Sequence, residues 1–523
     1  MVTRQPSRSA RHSAAGTTPL ADSAPARSAH PTARAVPRLL QRAMPGTAGE
    51  RMSKVDTAWL RMDTPGNLMM INGVWTLSPG IDWHTLCQRA QQRMLQYPRF
   101  HQRVVQDVAG ATWVQDTHFD ITAHVVRTTL PRRKGQSQHA ALQQRVGELS
   151  TQPLDSLRPL WQFHLIEDFV GDDGQPGSAL ILRIHHCIAD GIALIGVILS
   201  LVDGGTEPPP PQAPKAPADS DDWLTNALLK PLTDLTVKAL DKAGDSAAAS
   251  LYLLREPEKA LEHGLAGTLD AVRVGRQVLA DIAELALMPD DSPTRLKGVP
   301  GQHKRVAWCP PLPLSDVKAV GAALNCSLND VLLSCVAGAI GGYLRRHGDA
   351  TEGQEIRAMV PVNLRSEADA WQLGNRFGLA PLVLPIGIIN PIERVYEVRR
   401  RMAALKGSTQ PLLTYGLLAV AGLLVKPAQD ALLGLFSRKT TAVMTNVPGP
   451  DTPLTLCGAR LTQCMVWVPQ SGSVGLGVSI LSYNGGVQFG VMTDTLLCPD
   501  PQQIIDAFAP EFEQLLWLTL LLP

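Results

Sequence analysis

The residues whose types and spacing best suit chemistry are two adjacent histidines, His185 and His186, with Asp190 and Gly191 completing a His-His-x-x-x-Asp-Gly run. An imidazole changes charge near neutral pH, so a fixed histidine can take a proton from a reacting hydroxyl and return it to a leaving group. The pair follows an apolar run, Ala179 to Ile184, broken only by Arg183, which reads as a buried strand. Gly191 suits a tight turn, and Ile192 to Val202 reads as a helix or a second buried element. Histidines at a strand end are held rigidly and can face a cavity. The alternative is a satisfied, buried His-His pair without chemistry. A metal site is not indicated, because no further Cys or His stands nearby at ligand spacing.

The elements that must position this turn extend over a chain of 523 residues, long enough for two domains and appendages. A net charge of +1 and a pI near 7.7 make no case for a nucleic-acid partner. The chain is 45% hydrophobic and only 18% charged, which leaves apolar surface or cavity for a lipid. The eight cysteines form no C-x-x-C pair and read as reduced thiols of a cytosolic protein. The longest apolar stretch, Leu412 to Val425, is about 14 residues, short of the roughly 20 needed to cross a bilayer.

Residues 1–50 carry seven Arg, no Lys, two acids and six Pro, and are expected to be a disordered tail. A first domain is expected over 51–205, with a strand over Leu68–Leu77 and helices over Trp83–Tyr97 and Ala140–Ser150. Prolines at 208–211, 214 and 217 mark a stiff linker, and 206–300 reads as that linker plus amphipathic helices from 221 onward. A second domain is expected over 301–523. In it, Ser327 is placed to cap a helix opening at Asn329 and Asp330, and Asn484-Gly485-Gly486 signals a hairpin. Asp155-Ser156-Leu157 has the look of a carrier-protein attachment site but lacks a carrier domain around it.

His-His-x-x-x-Asp-Gly resembles the signature of the CoA-dependent acyltransferase superfamily. Further stretches in family order narrow the resemblance to the bacterial wax ester synthase/diacylglycerol acyltransferase family. These are Pro159-Leu160-Trp161, Asn329-Asp330, Asn363-Leu364-Arg365, Gly374-Asn375-Arg376-Phe377-Gly378 and Thr445-Asn446-Val447-Pro448-Gly449-Pro450. The N-terminal segment Asp63 to Met70 matches only in part.

The resemblance implies a mixed α/β fold of two chloramphenicol-acetyltransferase-like domains, their sheets flanked by helices and an active-site tunnel at their interface. It implies His186 as general base, His185 as support, and Asp190 and Gly191 as shapers of the turn, with Asp190 paired to an arginine. Pro159, Leu160, Trp161, Asn329 and Asp330 are expected to bind substrate or support the site. The implied substrates are acyl-CoA, serving as co-substrate with no other cofactor or metal, and a fatty alcohol or diacylglycerol, giving wax ester or triacylglycerol. A cytoplasmic enzyme on the surface of a membrane or lipid droplet is the expected setting. No Ser or Cys stands in a nucleophile-elbow setting, so direct transfer in a ternary complex is expected. Two alternatives stay open: another His-His-x-x-x-Asp-Gly acyltransferase, condensation-like or using small alcohols, and a non-catalytic lipid-surface protein.

Overall fold

A computed structural model describes residues 49–107, 110–131, 133–207, 288–365, 372–406, 410–424 and 426–521. The expected tail, apart from its last two residues, lies outside the described residues, as do the proline-rich run and 221–287 of the expected helices.

The first half contributes β1 (Glu50–Arg51), α1 (Lys54–Arg61), β2 (Met70–Ser78), α2 (Trp83–Arg93), β3 (Gln102–Asp107), β4 (Gly110–Gln115) and β5 (Val125–Arg127). It continues with α3 (Gln138–Ser150), β6 (Trp161–Val170), β7 (Pro176–His185) and α4 (Gly191–Leu201). The second half opens with β8 (Lys304–Trp308), β9 (Leu312–Pro313), α5 (Leu314–Ala323), α6 (Leu328–Arg346), β10 (Ile356–Asn363) and β11 (Phe377–Leu384). Then come α7 (Pro391–Lys406), α8 (Gln410–Leu423), α9 (Lys426–Ser437), β12 (Ala442–Pro448), β13 (Thr455–Leu456), β14 (Ala459–Trp467), β15 (Leu476–Tyr483), β16 (Gly486–Asp494) and α10 (Gln502–Leu520).

Two mixed sheets and a small antiparallel one, β1-β4-β3, organise these elements. One mixed sheet has the order β13-β14-β2-β7-β6-β5; the other runs β11-β10-β12-β15-β16-β8, with β9 on β16. The apolar run of β7 is buried along both faces because it lies in the interior of its sheet, which is why it reads as continuous rather than alternating. α6 is buried all round, as its apolar composition requires. Ser327 caps it in a reciprocal pair with Asp330. The Asn484-Gly485 signal is a hairpin turn with both residues at positive φ, joining β15 to β16.

One feature of the sheets crosses the expected division of the chain. β13 and β14 come from the second half in sequence, yet β14 pairs antiparallel with β2, from Arg460 opposite Ser78 to Trp467 opposite Asn72. The two halves also share a core in which Val74, Val146 and Ile181 pack with Val306, Trp308, Met465 and Met492. Among the described residues no single helix is long and apolar enough to cross a membrane.

Candidate active site

β7 delivers His185 as its last residue. The neighbouring backbone holds the turn: Leu160 O accepts from His185 N at 2.9 Å, and Met69 O accepts from His186 N at 2.7 Å. In its neutral form the His185 ring accepts the Cys187 N–H on Nδ1 at 3.2 Å and carries its proton on Nε2, 3.3 Å from Asp63 Oδ1. Burial opposes protonation of this ring, but Cys187 and the Asp63 carboxylate outweigh it and hold its pKa above the ordinary imidazole value.

His186 is placed differently. Its ring stacks on Trp59, with centroids 4.2 Å apart and planes 13° from parallel, and Phe377 stands 5.4 Å away. This aromatic enclosure desolvates the imidazole and pushes its pKa down to about 4, against the opposing charge of Asp190. The ring is therefore neutral at physiological pH and free to accept a proton.

Asp190 caps α4 through Ala193 N at 3.0 Å and receives Arg365 Nη2 at 2.7 Å, Arg365 Nε at 3.2 Å and Arg376 N at 2.9 Å. Arg365 is thus the arginine that pairs with Asp190. It also donates to the carbonyls of Gln372 and Gly374. Gly191 is neither at positive φ nor crowded, since a Cβ there meets nothing within 4 Å. The turn does not demand glycine; its bare backbone leaves space where the residue borders the cavity.

That cavity, about 460 Å3, is lined from both halves. Ile71, Trp75, Leu182 and Ile184 face it from the first sheet, and Met359, Pro361 and Val447 from the second. His186, Asp190, Asn363 and Asn446 are among its few polar lining residues. Cys464 is the cysteine of the lining, and burial pushes its thiol up to about 12, which leaves little thiolate. Cys187 is fully buried and does not line the cavity.

The other expected residues stand behind this cavity. Pro159, Leu160 and Trp161 do not line it. Leu160 holds the backbone of His185, while the Trp161 indole donates to Phe100 O at 2.8 Å and stacks on His124. Asp330 serves the cap of α6, and Asn329 Oδ1 accepts from the cavity-lining Asn446 at 2.6 Å. Among the described residues no three His, Cys, Asp or Glu side chains group to hold a metal.

Sequence reasoning missed several contacts. Of the two rings that enclose His186, Trp59 carried no signal beyond being aromatic, and Phe377 stood in a family-like stretch without its contact being legible. Asp56, 1% exposed, accepts Asn375 N and Nδ2 at 3.0 and 2.8 Å and Arg99 Nη1 at 3.1 Å. Asp63 and Asn375 sat in stretches that drew attention as motifs, without their roles being legible.

Two mixed sheets joined through a shared core, with a strand-end histidine facing an apolar cavity between them, define a mixed α/β fold of the chloramphenicol-acetyltransferase-like type. The wax ester synthase/diacylglycerol acyltransferase catalytic domain is matched over residues 52–332, and the C-terminal domain of the same family over 373–516. The chain belongs to the wax ester synthase/diacylglycerol acyltransferase family and is an O-acyltransferase that uses acyl-CoA and an acyl acceptor.

A Mycobacterium tuberculosis protein named as a probable diacylglycerol O-acyltransferase is 28% identical over 449 residues, covering 84% of this chain and 88% of that one. The wax ester synthase/diacylglycerol acyltransferase of Marinobacter aquaeolei shares the fold at a TM-score of 0.61 and 21% identity, over 90% of this chain and 100% of that one. The first condensation domain of the calcium-dependent antibiotic synthetase is similar in fold, with a TM-score of 0.53 and 14% identity over 90% of this chain and 96% of that domain.

Proposed function

We propose that this chain moves a long-chain acyl group from acyl-CoA to the hydroxyl of a fatty alcohol or a diacylglycerol, giving wax ester or triacylglycerol, with His186 as the general base. The observation that carries the reading is a neutral, aromatic-enclosed His186 bordering an apolar cavity between the two halves. His186 takes the hydroxyl proton as the alcohol oxygen attacks the thioester carbonyl. The tetrahedral intermediate collapses, the carbon–sulfur bond breaks, and the imidazolium returns the proton to the CoA thiolate. Enclosure of the site limits competing hydrolysis by water. The poorly ionised Cys464 favours direct transfer in a ternary complex, with acyl-CoA as co-substrate and no further cofactor or metal. The test is purified protein with a long-chain acyl-CoA and each acceptor in turn, reading free CoA and ester. Ester formed in step with CoA supports the reading; CoA release without ester, or an acyl-enzyme isolated with acyl-CoA alone, overturns it.

We further propose that the enzyme works in the cytoplasm, held reversibly on a membrane or lipid-droplet surface. Eight unpaired cysteines suit a reducing compartment. Trp517, Leu520 and Leu521 are exposed one turn apart at the end of α10, where an indole and two leucines suit the lipid interface. Trp517→Ser with Leu520→Ser and Leu521→Ser is expected to reduce recovery with phospholipid vesicles while the fold is kept. Unchanged recovery contradicts this docking face.

A further inference from the structure

We propose that Asn375 is the positioning residue for His186, accepting its Nδ1–H and thereby leaving Nε2 as the proton acceptor. The inference rests on the reading of His186 as the base. It begins with the orientation of the Asn375 amide. Asn375 Nδ2 lies 2.8 Å from Asp56 Oδ1 and 2.7 Å from the His186 backbone O. The carbonyl accepts only, and the buried Asp56 receives Arg99 on its other oxygen, so the amide nitrogen must occupy that corner. Asn375 Oδ1 is then turned away from both, buried and without a hydrogen-bond partner.

The Nδ1 of His186 is likewise buried and without a partner. Neither atom is bonded as the side chains stand, and the Asn375 side chain is among the groups that favour a proton on His186, so an amide oxygen and a ring nitrogen on contacting residues satisfy each other once that nitrogen carries the proton. Burial disfavours the charged ring; against it act, in order, the Asp190 charge, the ring's own backbone carbonyl and the Asn375 side chain. The last two are what an Nδ1–H would meet.

Asn375 is itself fixed. Asp56 Oδ1 also receives Asn375 N at 3.0 Å, and Arg99 Nη1, 3.1 Å from Asp56 Oδ2, also reaches Ile188 O at 3.1 Å. Arg99, Asp56 and His186 belong to the first half of the chain and Asn375 to the second, so the tautomer of the base is set only where the halves meet. A parallel bridge from Ala189 to Gly374 seats the loop that carries Asn375. The charged and titratable groups around His186 are His185 and Asp190 on its own turn, Asp56 and Arg99 behind Asn375, and Arg365 and Arg376 around Asp190. Trp59 and Phe377 close the remaining sides.

The experiment is the pH profile of kcat/KM for the wild type, Asn375→Ala, and the exchange Asp56→Asn with Asn375→Asp, each checked for melting temperature and acyl-CoA binding. Asn375→Ala is expected to lower the plateau on the order of 10- to 100-fold, the scale of a misplaced catalytic group. The exchange keeps a side-chain donor–acceptor pair between positions 56 and 375 and turns a carboxylate toward Nδ1–H. It also sets an oxygen at position 375 against the His186 carbonyl and the new amide at position 56 against the backbone N–H of position 375, which the melting temperature registers. A carboxylate favours the imidazolium, and a base must be unprotonated to act, so the acid limb is expected to move to higher pH by about a unit or more. Folded variants with lower rates and an unmoved acid limb would show that Asn375 only holds the fold. His186→Ala is run alongside: if it keeps substantial turnover, the base reading fails, whatever Asn375 does.

Discussion

Replacing Asp190 with Asn removes one charge from a buried, multiply bonded pair. Its carboxylate accepts from Ala193 N, Arg376 N and two nitrogens of Arg365, and the Asp190 and Arg365 side chains are 5% and 1% exposed. An amide in its place turns an N–H either toward Arg365 and Arg376 or toward Ala193, so one donor meets another in both rotamers. Stripping one partner from a buried pair costs roughly 3–5 kcal/mol, because the other charge stays buried and uncompensated. Loss of the cap on α4 adds about 1 kcal/mol in the rotamer that turns the N–H toward Ala193, since with its oxygen there Asn caps as Asp does. Arg365→Met should do comparable harm from the other side. The double variant, which leaves no uncompensated charge, should be less destabilised than the sum by more than about 1.5 kcal/mol. Denaturant unfolding of the four proteins, with turnover measured on each, checks this. Additive losses would mean that the pair does not act as a unit. An Asp190→Asn protein with wild-type stability and a lost rate would make Asp190 part of the proton relay instead of a clamp.

Stability should also depend on pH. Burial lowers the pKa of His186 to about 4 and of His164 to about 3, and lowers that of His124 as well. In the unfolded chain these rings take protons near pH 6.5, so their contribution is complete above about 6.5 and is lost as pH falls toward the folded values. The melting temperature should fall between about pH 6.5 and 4, and less so in His164→Gln; a flat profile in the wild type would contradict this. Gly73 borders the cavity, and a Cβ there stands 3.2 Å from Leu182 Cδ1. Gly73→Leu should therefore cut kcat/KM for long-chain acyl-CoA by on the order of tenfold or more relative to short-chain acyl-CoA, the scale of one or two misfitted methylenes. Equal losses for both would mean that the acyl chain does not pass Gly73.

Local signals in the sequence were legible because local physics decides them. The unbroken burial of β7, the Ser327 cap and the Asn484-Gly485 turn follow from composition and spacing within a few residues. The site's long-range partners do not. Asp190 meets Arg365 175 positions away, and Asp56 meets Asn375 across 319. These pairings depend on docking of the halves, as does the insertion of β14 beside β2. Pro159-Leu160-Trp161 was recognisable as a motif, yet only the register of β6 against β7 puts it behind the histidines rather than in the cavity. Trp59 could not be told from a core tryptophan, because its stacking on His186 is a tertiary contact.

The role of His186 is tested most directly by His186→Ala. Turnover of a long-chain acyl-CoA with an alcohol acceptor should fall by roughly 10²- to 10⁴-fold, the usual contribution of a general base, while melting temperature and acyl-CoA binding stay close to those of the wild type. A folded His186→Ala protein that keeps substantial turnover would contradict the account.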